Sequence, residues 1–219
     1  MQSIPVQRVM AYVDGFNLYH GMKDSKIRHC RWLNLDCLVR RLLREGELVG
    51  VKYFTARIKG LDSSKADAQM VKDQEAKRIR QTRYLDALAT VETITIYEGQ
   101  SVSQKVICRE CKSKWTKASE KMTDVNIATQ MLVDAFANVY DTALLISADS
   151  DLVPPIRAIK ELFRDKKMVV AFPPRRKSYE LQKMADINFS IGQKQIEESQ
   201  FPGVVVTKAG HEIQKPVGW

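Results

Sequence analysis

Apolar runs that end in a carboxylate are the most regular feature of this sequence. Arg8 to Val13 and Leu144 to Ser147 are almost continuously apolar, which is typical of strands buried on both faces of a sheet. The first run ends at Asp14, and the second is followed by Asp149 and Asp151. Two prolines and an apolar pattern at helical spacing come next, so the segment after the second run is predicted to be a strand-to-helix turn.

Strand and helix patterns alternate along the rest of the chain. Further strands are predicted at Val51 to Ile58, Val91 to Tyr97, Ser101 to Ile107, Met168 to Phe172 and Ile187 to Ile191. Helices are predicted at Trp32 to Leu43 with Asn34 as N-cap, from Ser63 or Ser64 to about Leu88, at Glu120 to Val139 and at Ser178 to Ala185. This order predicts an α/β fold with a mostly parallel, five- to six-stranded sheet and helices on both faces. Because no periodic pattern continues beyond Gly192, we expect a domain over residues 1–192 and a C-terminal tail over 193–219.

The composition favours an anionic partner. A chain of 219 residues with 44% hydrophobic residues can form one substantial core. Its net charge of +9 indicates nucleic acid rather than membrane, since no long apolar segment is present, although the charge could also serve solubility alone. The N-terminal apolar segment is too short for a signal peptide, so we expect a cytoplasmic protein without membrane contact.

Four aspartates are predicted to converge at one edge of the sheet. If the strands that precede Asp14 and Asp149 are central neighbours, both residues and Asp151 lie at the carboxyl ends of strands. Asp124, in the first turn of a predicted helix, lies on the same side. Oxygen ligands without a histidine beside them favour Mg²⁺ or Mn²⁺. The alternative is that Asp151 only caps the following helix and Asp149 is a solvated turn residue.

Three segments resemble the acidic motifs of NYN domains of the LabA-like branch, within the PIN-like nuclease superfamily. They are Val-Asp-Gly-Phe-Asn-Leu at 13–18, Lys-Met-Thr-Asp-Val at 121–125 and Ile-Ser-Ala-Asp-Ser-Asp-Leu at 146–152. The resemblance implies a PIN-like (Rossmann-like) fold and metal-dependent ribonuclease chemistry. It also implies that Asp14, Asp124, Asp149 and Asp151 are the catalytic, metal-binding acids, and that Asn17 and Ser147 orient a ligand or water.

Two basic segments are candidate substrate contacts. Arg175, Arg176 and Lys177 follow a predicted strand at the edge where the acids lie. Arg78, Arg80 and Arg83, with Tyr84 beside them for stacking, could follow a phosphate backbone, although a solvated helix face is the common explanation of such a run.

Cys108 and Cys111 have the spacing of a zinc knuckle, and reduced thiols are the alternative. Further zinc ligands would come from Cys30, Cys37 or His29, or from a second copy of the chain, which leaves a homodimer open. A structural disulfide is not expected in the cytoplasm.

The sequence thus predicts a ribonuclease that uses Mg²⁺ or Mn²⁺, with RNA preferred over DNA as the expected partner. The alternative is a nucleic-acid-binding regulatory adaptor with the same fold and little catalysis. The four acids favour the enzyme, because a pure binder gains nothing by gathering carboxylates against an anionic ligand.

Overall fold

The computed structural model describes residues 6–60, 67–107 and 109–219. The strands are β1 (Arg8–Asp14), β2 (Glu47–Ala56), β3 (Ile94–Ile107), β4 (Lys114–Lys121), β5 (Thr142–Ile146), β6 (Lys167–Phe172), β7 (Ile187–Ser190), β8 (Val204–Val206) and β9 (Glu212–Gln214). The helices are α1 (Gly15–Asp24), α2 (Leu35–Leu42), α3 (Ala68–Ala89), α4 (Thr123–Phe136), α5 (Val153–Leu162), α6 (Tyr179–Met184) and α7 (Gln193–Glu197). Short 3-10 turns lie at Arg28–Cys30 and Ser150–Leu152.

The main sheet has seven strands in the order β4-β3-β2-β1-β5-β6-β7. All pairs are parallel except β3 with β4. The predicted α/β fold with a mostly parallel sheet is therefore confirmed, and the antiparallel β4 was not predicted. The order of the parallel strands reverses between β1 and β5, and ligand sites of open α/β sheets lie at the carboxyl ends of the strands at such a point.

The central strands are buried on both faces, which explains their apolar runs. Val9, Ala11 and Val13 of β1 pack in a core with α1, α2, α3 and α7. Met10 and Tyr12 point to the other face, where they pack with α4, α5 and α6. Helices therefore cover both faces of the sheet, as predicted. None of the helices in the described ranges is long and apolar enough to cross a membrane.

Several predicted boundaries need correction. The second helix begins only at Leu35, although Asn34 is its N-cap and accepts a hydrogen bond from Cys37 N (3.1 Å). The second strand is displaced toward the N-terminus and covers Glu47–Ala56. The long helix begins at Ala68, and the two serines proposed as its start lie outside the described residues.

The region before α4 differs most from the prediction. The two strands predicted at Val91 to Tyr97 and Ser101 to Ile107 form one strand, β3, because its second half pairs with β4. Glu120 and Lys121, which were assigned to a helix, end β4, and the helix begins at Thr123. Long-range pairing overrides the local pattern here.

The residues after Gly192 are ordered by packing against the domain. They form α7 and the antiparallel hairpin β8–β9, which no periodic pattern predicted. Ile196, Phe201 and Val205 are buried in the core that contains α2 and α3. Trp32 Nε1 donates a hydrogen bond to the carbonyl oxygen of Pro202 (2.7 Å). The domain boundary at residue 192 stays a prediction.

Candidate functional site

Asp14 is the buried anchor of the site. It ends β1 and is the N-cap of α1, with a relative exposure of 1%. Its carboxylate accepts hydrogen bonds from Asn17 N (2.9 Å), Asn17 Nδ2 (2.8 Å) and Ser147 Oγ (2.8 Å). Burial raises the pKa of Asp14, and these hydrogen bonds offset part of the rise. A carboxylate has about four lone-pair sites, so one remains for another ligand.

A glycine allows this arrangement. A Cβ on Gly15 would lie 2.6 Å from Tyr53 Oη and 2.7 Å from the Phe54 carbonyl oxygen of β2. Only glycine therefore lets α1 begin directly after Asp14, close to the neighbouring strand. The sequence did not predict α1, because its apolar face is interrupted by Gly15 and Gly21.

The turn after β5 places the next acids beside Asp14. Val13 pairs with Ile146, so the residues that follow, Asp14 and Ser147, are neighbours across the strands. Ser147 Oγ accepts a hydrogen bond from Asp149 N (3.1 Å), and Asp149 Oδ1 accepts one from Asp151 N (3.0 Å). Asp149 is thus the N-cap of the 3-10 turn that leads into α5.

The alternative assigned Asp151 as the cap of the following helix, but the N-cap of α5 is Leu152, and no described side chain donates or accepts a capping hydrogen bond there. Asp149 is half-buried and Asp151 is exposed, so both carboxylates are accessible at the end of β5.

Asp124 completes the group from the start of α4. It lies in the first turn of α4, after Met122, whose backbone is left-handed (φ 75°). Partial desolvation, followed by the negative charges of Asp149, Asp14 and Asp151, raises the pKa of Asp124 to about 6. The four aspartates therefore share one electrostatic environment, in which an added cation would relieve the repulsion.

The donor set fits a hard divalent cation. All four side chains offer oxygen atoms, the ligands that Mg²⁺ and Mn²⁺ prefer. No three of the four aspartates bring carboxylate oxygens within 4.8 Å of one another, so the group is open rather than a closed cage. Mg²⁺ usually keeps several water ligands and takes only one or two carboxylates, which suits such an arrangement.

The basic segment after β6 lies against the same site. Arg176 donates hydrogen bonds to Asn17 Oδ1 (3.3 Å) and to Asp24 Oδ2 (3.2 Å). The loop approaches α1 closely, since a Cβ on Gly21 would lie 2.7 Å from Pro173 Cβ. Arg175 and Lys177, on either side, are exposed. The segment is therefore at the edge of the acidic site, and its role in substrate binding stays a prediction.

The three candidate arginines of α3 lie in different environments. Arg78 forms an exposed ion pair with Glu75 (2.6 Å), and Arg83 is exposed. Arg80 lines a cavity of about 290 Å³ between α1, α3 and the end of β2. Tyr84 is buried at the cavity wall, where its hydroxyl donates to the Leu33 carbonyl oxygen (2.9 Å).

The cavity also contains residues that the sequence did not indicate, among them Arg31 and Trp219. They are separated by almost the whole chain and belong to no periodic pattern, so only the tertiary structure brings them together. The +9 net charge was the one relevant signal, and it does not specify a position.

The structure describes only one of the two cysteines of the predicted zinc knuckle. Cys108 lies outside the described residues, and Cys111 is exposed, with Sγ 3.0 Å from Ser113 Oγ. Within the described ranges, one group of three residues brings nitrogen, sulfur and oxygen ligand atoms within 4.8 Å: His29, Cys30 and Glu197. Because Cys30 is buried, the pKa of its thiol is raised, which opposes metal binding as a thiolate. A zinc knuckle at Cys108 and Cys111 stays a prediction.

Comparison with known protein families matches the NYN domain over residues 8–191, which contain the whole parallel sheet and all four aspartates. The chain belongs to the NYN domain family. NYN domains are part of the PIN-like nuclease superfamily, whose members are generally nucleases that use divalent metal ions. The four aspartates of the three motifs therefore lie within the matched domain, on the fold that the family implies.

Two further proteins are similar to this NYN domain. The 6-hydroxy-3-succinoylpyridine 3-monooxygenase HspA of Pseudomonas putida is 26% identical over 186 residues, which are 70% of this chain. The chain spans about half the length of that curated relative (55%). A crystal structure of a protein of unknown function from Vibrio parahaemolyticus has a TM-score of 0.55 and 21% identity, and the match covers 88% of this chain and 98% of that one. The latter supports the fold alone.

Proposed function

We propose that this NYN domain, of the LabA-like branch, is a ribonuclease that uses Mg²⁺ or Mn²⁺ bound by Asp14, Asp124, Asp149 and Asp151. The observation that carries the proposal is the environment of Asp124, whose pKa rises to about 6 partly because of the other three carboxylates. Repulsion between these carboxylates does not stabilise the fold. A bound cation would offset it, so the cluster favours cation binding.

The three more accessible acids are the principal candidates, one or two of them as direct ligands and the others through water on the cation. Asp124, Asp149 and Asp151 have few hydrogen-bond partners, whereas Asp14 already accepts three bonds. Asp14 would add charge and one lone pair. When bound, the cation would polarise the phosphate and lower the pKa of a water molecule.

The surrounding residues orient these acids. Ser147 joins Asp14 to the backbone of Asp149, so hydrogen bonds connect the ends of β1 and β5. Asn17 joins Asp14 to Arg176, which places a guanidinium group at the rim. Such a group can hold a phosphate with two N–H donors. The proposed substrate is RNA held at this rim by Arg175, Arg176 and Lys177.

The proposal is tested by cleavage of single-stranded RNA and DNA with Mn²⁺, Mg²⁺ or EDTA, with Asp149→Asn as the variant. We expect the variant to lose more than about 100-fold in cleavage rate, because even the loss of residues that only orient metal ligands costs roughly 10–100-fold. Without metal, its melting temperature should equal or exceed that of the wild type, and Mn²⁺ should stabilise it less.

Asp165→Asn is the matched control, since it makes the same change at an exposed position between α5 and β6, at the opposite edge of the sheet. It should cleave as the unmodified protein does. Equal cleavage by Asp149→Asn would assign the activity to a contaminant or to other residues. If neither protein cleaves any substrate or responds thermally to Mn²⁺, the regulatory adaptor is the better description.

The name of HspA supports a second candidate, a monooxygenase acting on a heteroaromatic acid. The aromatic and cationic cavity beside the acids is the observation in its favour. Uptake of O₂ with a pyridine acid and a reductant would distinguish it from hydrolysis, which consumes no O₂. The cytoplasmic location and a homodimer remain predictions.

A further inference from the structure

The cavity between α1, α3 and the end of β2 adjoins the acidic site without belonging to it. Gly15 and Phe16, which line the cavity, directly follow Asp14 along the chain. A ligand in the cavity would therefore lie next to the proposed metal site. The volume of about 290 Å³ is close to the lower limit of roughly 300 Å³ for small-molecule pockets, so the space suits one small planar group.

Aromatic side chains form much of the cavity wall. The Tyr84 ring lies 5.7 Å from the Trp219 ring and 6.2 Å from the Tyr53 ring, both edge-to-face. Tyr19 and Phe16, on α1, remain 40% and 51% exposed at the cavity. Tyr53 and Tyr84 are buried, so the exposed rings of Tyr19 and Phe16 and the half-buried ring of Trp219 are the ones available to a planar aromatic ligand.

Positive charges surround these rings without negative partners. Among the described residues, Arg31, Lys77 and Arg80 form no ion pair with a carboxylate. The Arg31 guanidinium carbon lies 4.6 Å from the centre of the Tyr19 ring. Burial lowers the pKa of Arg31, and the charges of Arg28 and Arg80 lower it further. An anionic group would relieve this repulsion.

Two buried donors in the wall have no acceptor. Arg31 Nε and Trp219 Nε1 are shielded from solvent, and no atom of the described residues accepts a hydrogen bond from either. Buried polar groups are normally paired, so a small shift of either side chain that brings its donor to the cavity would let an acceptor on a ligand pair with it. Base edges and phosphate oxygens both supply such acceptors.

We propose that this cavity binds a heteroaromatic ring that carries an acidic group, and that in the substrate this unit is one nucleotide. The base lies among Tyr19, Tyr84 and Trp219, and the phosphate contacts Arg31 and Arg80. The assignment to a nucleotide of the cleaved strand rests on the proposed ribonuclease function. The cavity would then give the enzyme a preference for the base next to the cleavage position.

Calorimetric titration of the full chain in EDTA tests this without catalysis. The ligands are the four ribonucleoside 5′-monophosphates, ribose 5-phosphate as an anion without a ring, and pyridine-3-carboxylate as a small heteroaromatic acid. We expect at least one nucleotide to bind more tightly than ribose 5-phosphate and pyridine-3-carboxylate. Arg31→Gln, and independently Arg80→Gln, should weaken it by about tenfold, the effect of losing one charge-assisted contact.

Trp219→Phe retains a ring and removes the N–H donor, so it should weaken binding by a smaller factor. Arg164→Gln, an exposed arginine between α5 and β6 at the opposite edge of the sheet, is the matched control and should bind as the unmodified chain does. Melting temperatures of all variants show whether each is folded.

Three outcomes would overturn the inference: no nucleotide binds at millimolar concentration, ribose 5-phosphate binds as tightly as the nucleotides, or folded Arg31→Gln and Arg80→Gln both bind normally. Binding of pyridine-3-carboxylate in preference to every nucleotide would overturn the nucleotide assignment. RNA cleavage without nucleotide binding would contradict the proposed role of the cavity but not the proposed ribonuclease function. Binding that depends on Arg31, in a protein that never cleaves RNA, would support the cavity and contradict the ribonuclease.

Discussion

Hydrogen bonding gives the four aspartates different properties, although the sequence presents them alike. Asp14 is buried and holds α1, β1 and β5 together through Asn17 and Ser147. In the part of the chain that the structure describes, Asp124 is held by no such network, and its ionisation is opposed by partial burial and by its neighbours. We therefore expect Asp124 to be the acid whose titration responds most clearly to pH and metal.

The pKa of Asp124 gives a pH prediction for the metal-free protein. Because the folded value of about 6 exceeds the ordinary value of 3.8, the folded state binds this proton more tightly than the unfolded state. Below about pH 4 the acid is protonated in both states; as pH rises toward about 6, stability is lost. In EDTA, Asp124→Asn should be more stable than wild type at neutral pH, and this difference should shrink as pH falls through 6.

Urea denaturation of both proteins across this pH range measures the effect. Asp165→Asn, with an exposed carboxylate away from the site, should show no such narrowing. A difference between Asp124→Asn and wild type that stays constant with pH would mean that neither partial burial nor the charges of Asp149, Asp14 and Asp151 raise the pKa of Asp124.

The sequence could identify these acids because each follows a recognisable strand or begins a recognisable helix. It could not identify Arg31 or Trp219, because their partners are distant in sequence and their contacts depend on the packing of α1 and α3. Hydrogen bonds such as that from Arg176 to Asn17 likewise depend on the close approach of Gly21 to Pro173. Local patterns contain no information on such contacts.

A buried polar network fixes α4, the helix that carries Asp124, to the sheet. Lys52 of β2 forms an ion pair with Asp134 of α4 (2.7 Å), and their side chains are only 13% and 7% exposed. Tyr12 Oη donates to Asp134 Oδ2 (2.7 Å), and Lys52 Nζ donates to Gln130 Oε1 (2.8 Å). The carboxylate raises the pKa of Tyr12 further above the value that burial alone would give. The position of Asp124 thus depends on contacts three helical turns away.

Removal of one residue of the buried Lys52–Asp134 ion pair should destabilise the protein more than removal of both. Lys52→Met leaves the Asp134 carboxylate buried, with Tyr12 as its one remaining donor among the described side chains, and should cost about 3–5 kcal/mol in the free energy of unfolding. Lys52→Met combined with Asp134→Leu should recover much of this, because no buried charge remains. Urea denaturation of the single and double variants measures the coupling between the two residues.

The exposed pair between Arg41 and Glu198 (2.9 Å) is the matched control, and Arg41→Met should cost less than about 1 kcal/mol. Similar losses for Lys52→Met and Arg41→Met would show that burial does not determine the strength of the Lys52 pair.

Secondary structure was predictable where one element determines its own pattern. The strands around β1 and β5 are buried on both faces, so their apolar runs identify them without knowledge of their partners. In contrast, β4 and the hairpin β8–β9 are defined by their pairing. The short helix α7 follows the last predicted strand and is held by one buried side chain, Ile196. Elements of this kind need tertiary information.

At the scale of the whole molecule, the location of the surplus positive charge determines which basic residues can contact a bound polyanion. Arg175, Arg176 and Lys177 lie at the carboxyl edge of the sheet beside the acids, and Arg31 and Arg80 lie in the adjoining cavity. A polyanion bound along this edge would contact both groups and cross the four aspartates. Basic residues at the amino edge, such as Arg44, Arg164 and Lys167, would not contribute.

Two triple variants separate position from net charge. Replacing Arg175, Arg176 and Lys177 by alanine should weaken binding of single-stranded RNA in EDTA and reduce the slope of log affinity against log salt by up to about 2, because each lost phosphate contact removes about 0.7. Replacing Arg44, Arg164 and Lys167 removes the same three charges from the opposite edge and should leave the slope nearly unchanged. Equal reductions in both variants would mean that binding follows net charge alone. An unchanged slope in the first would remove the segment after β6 from the binding surface.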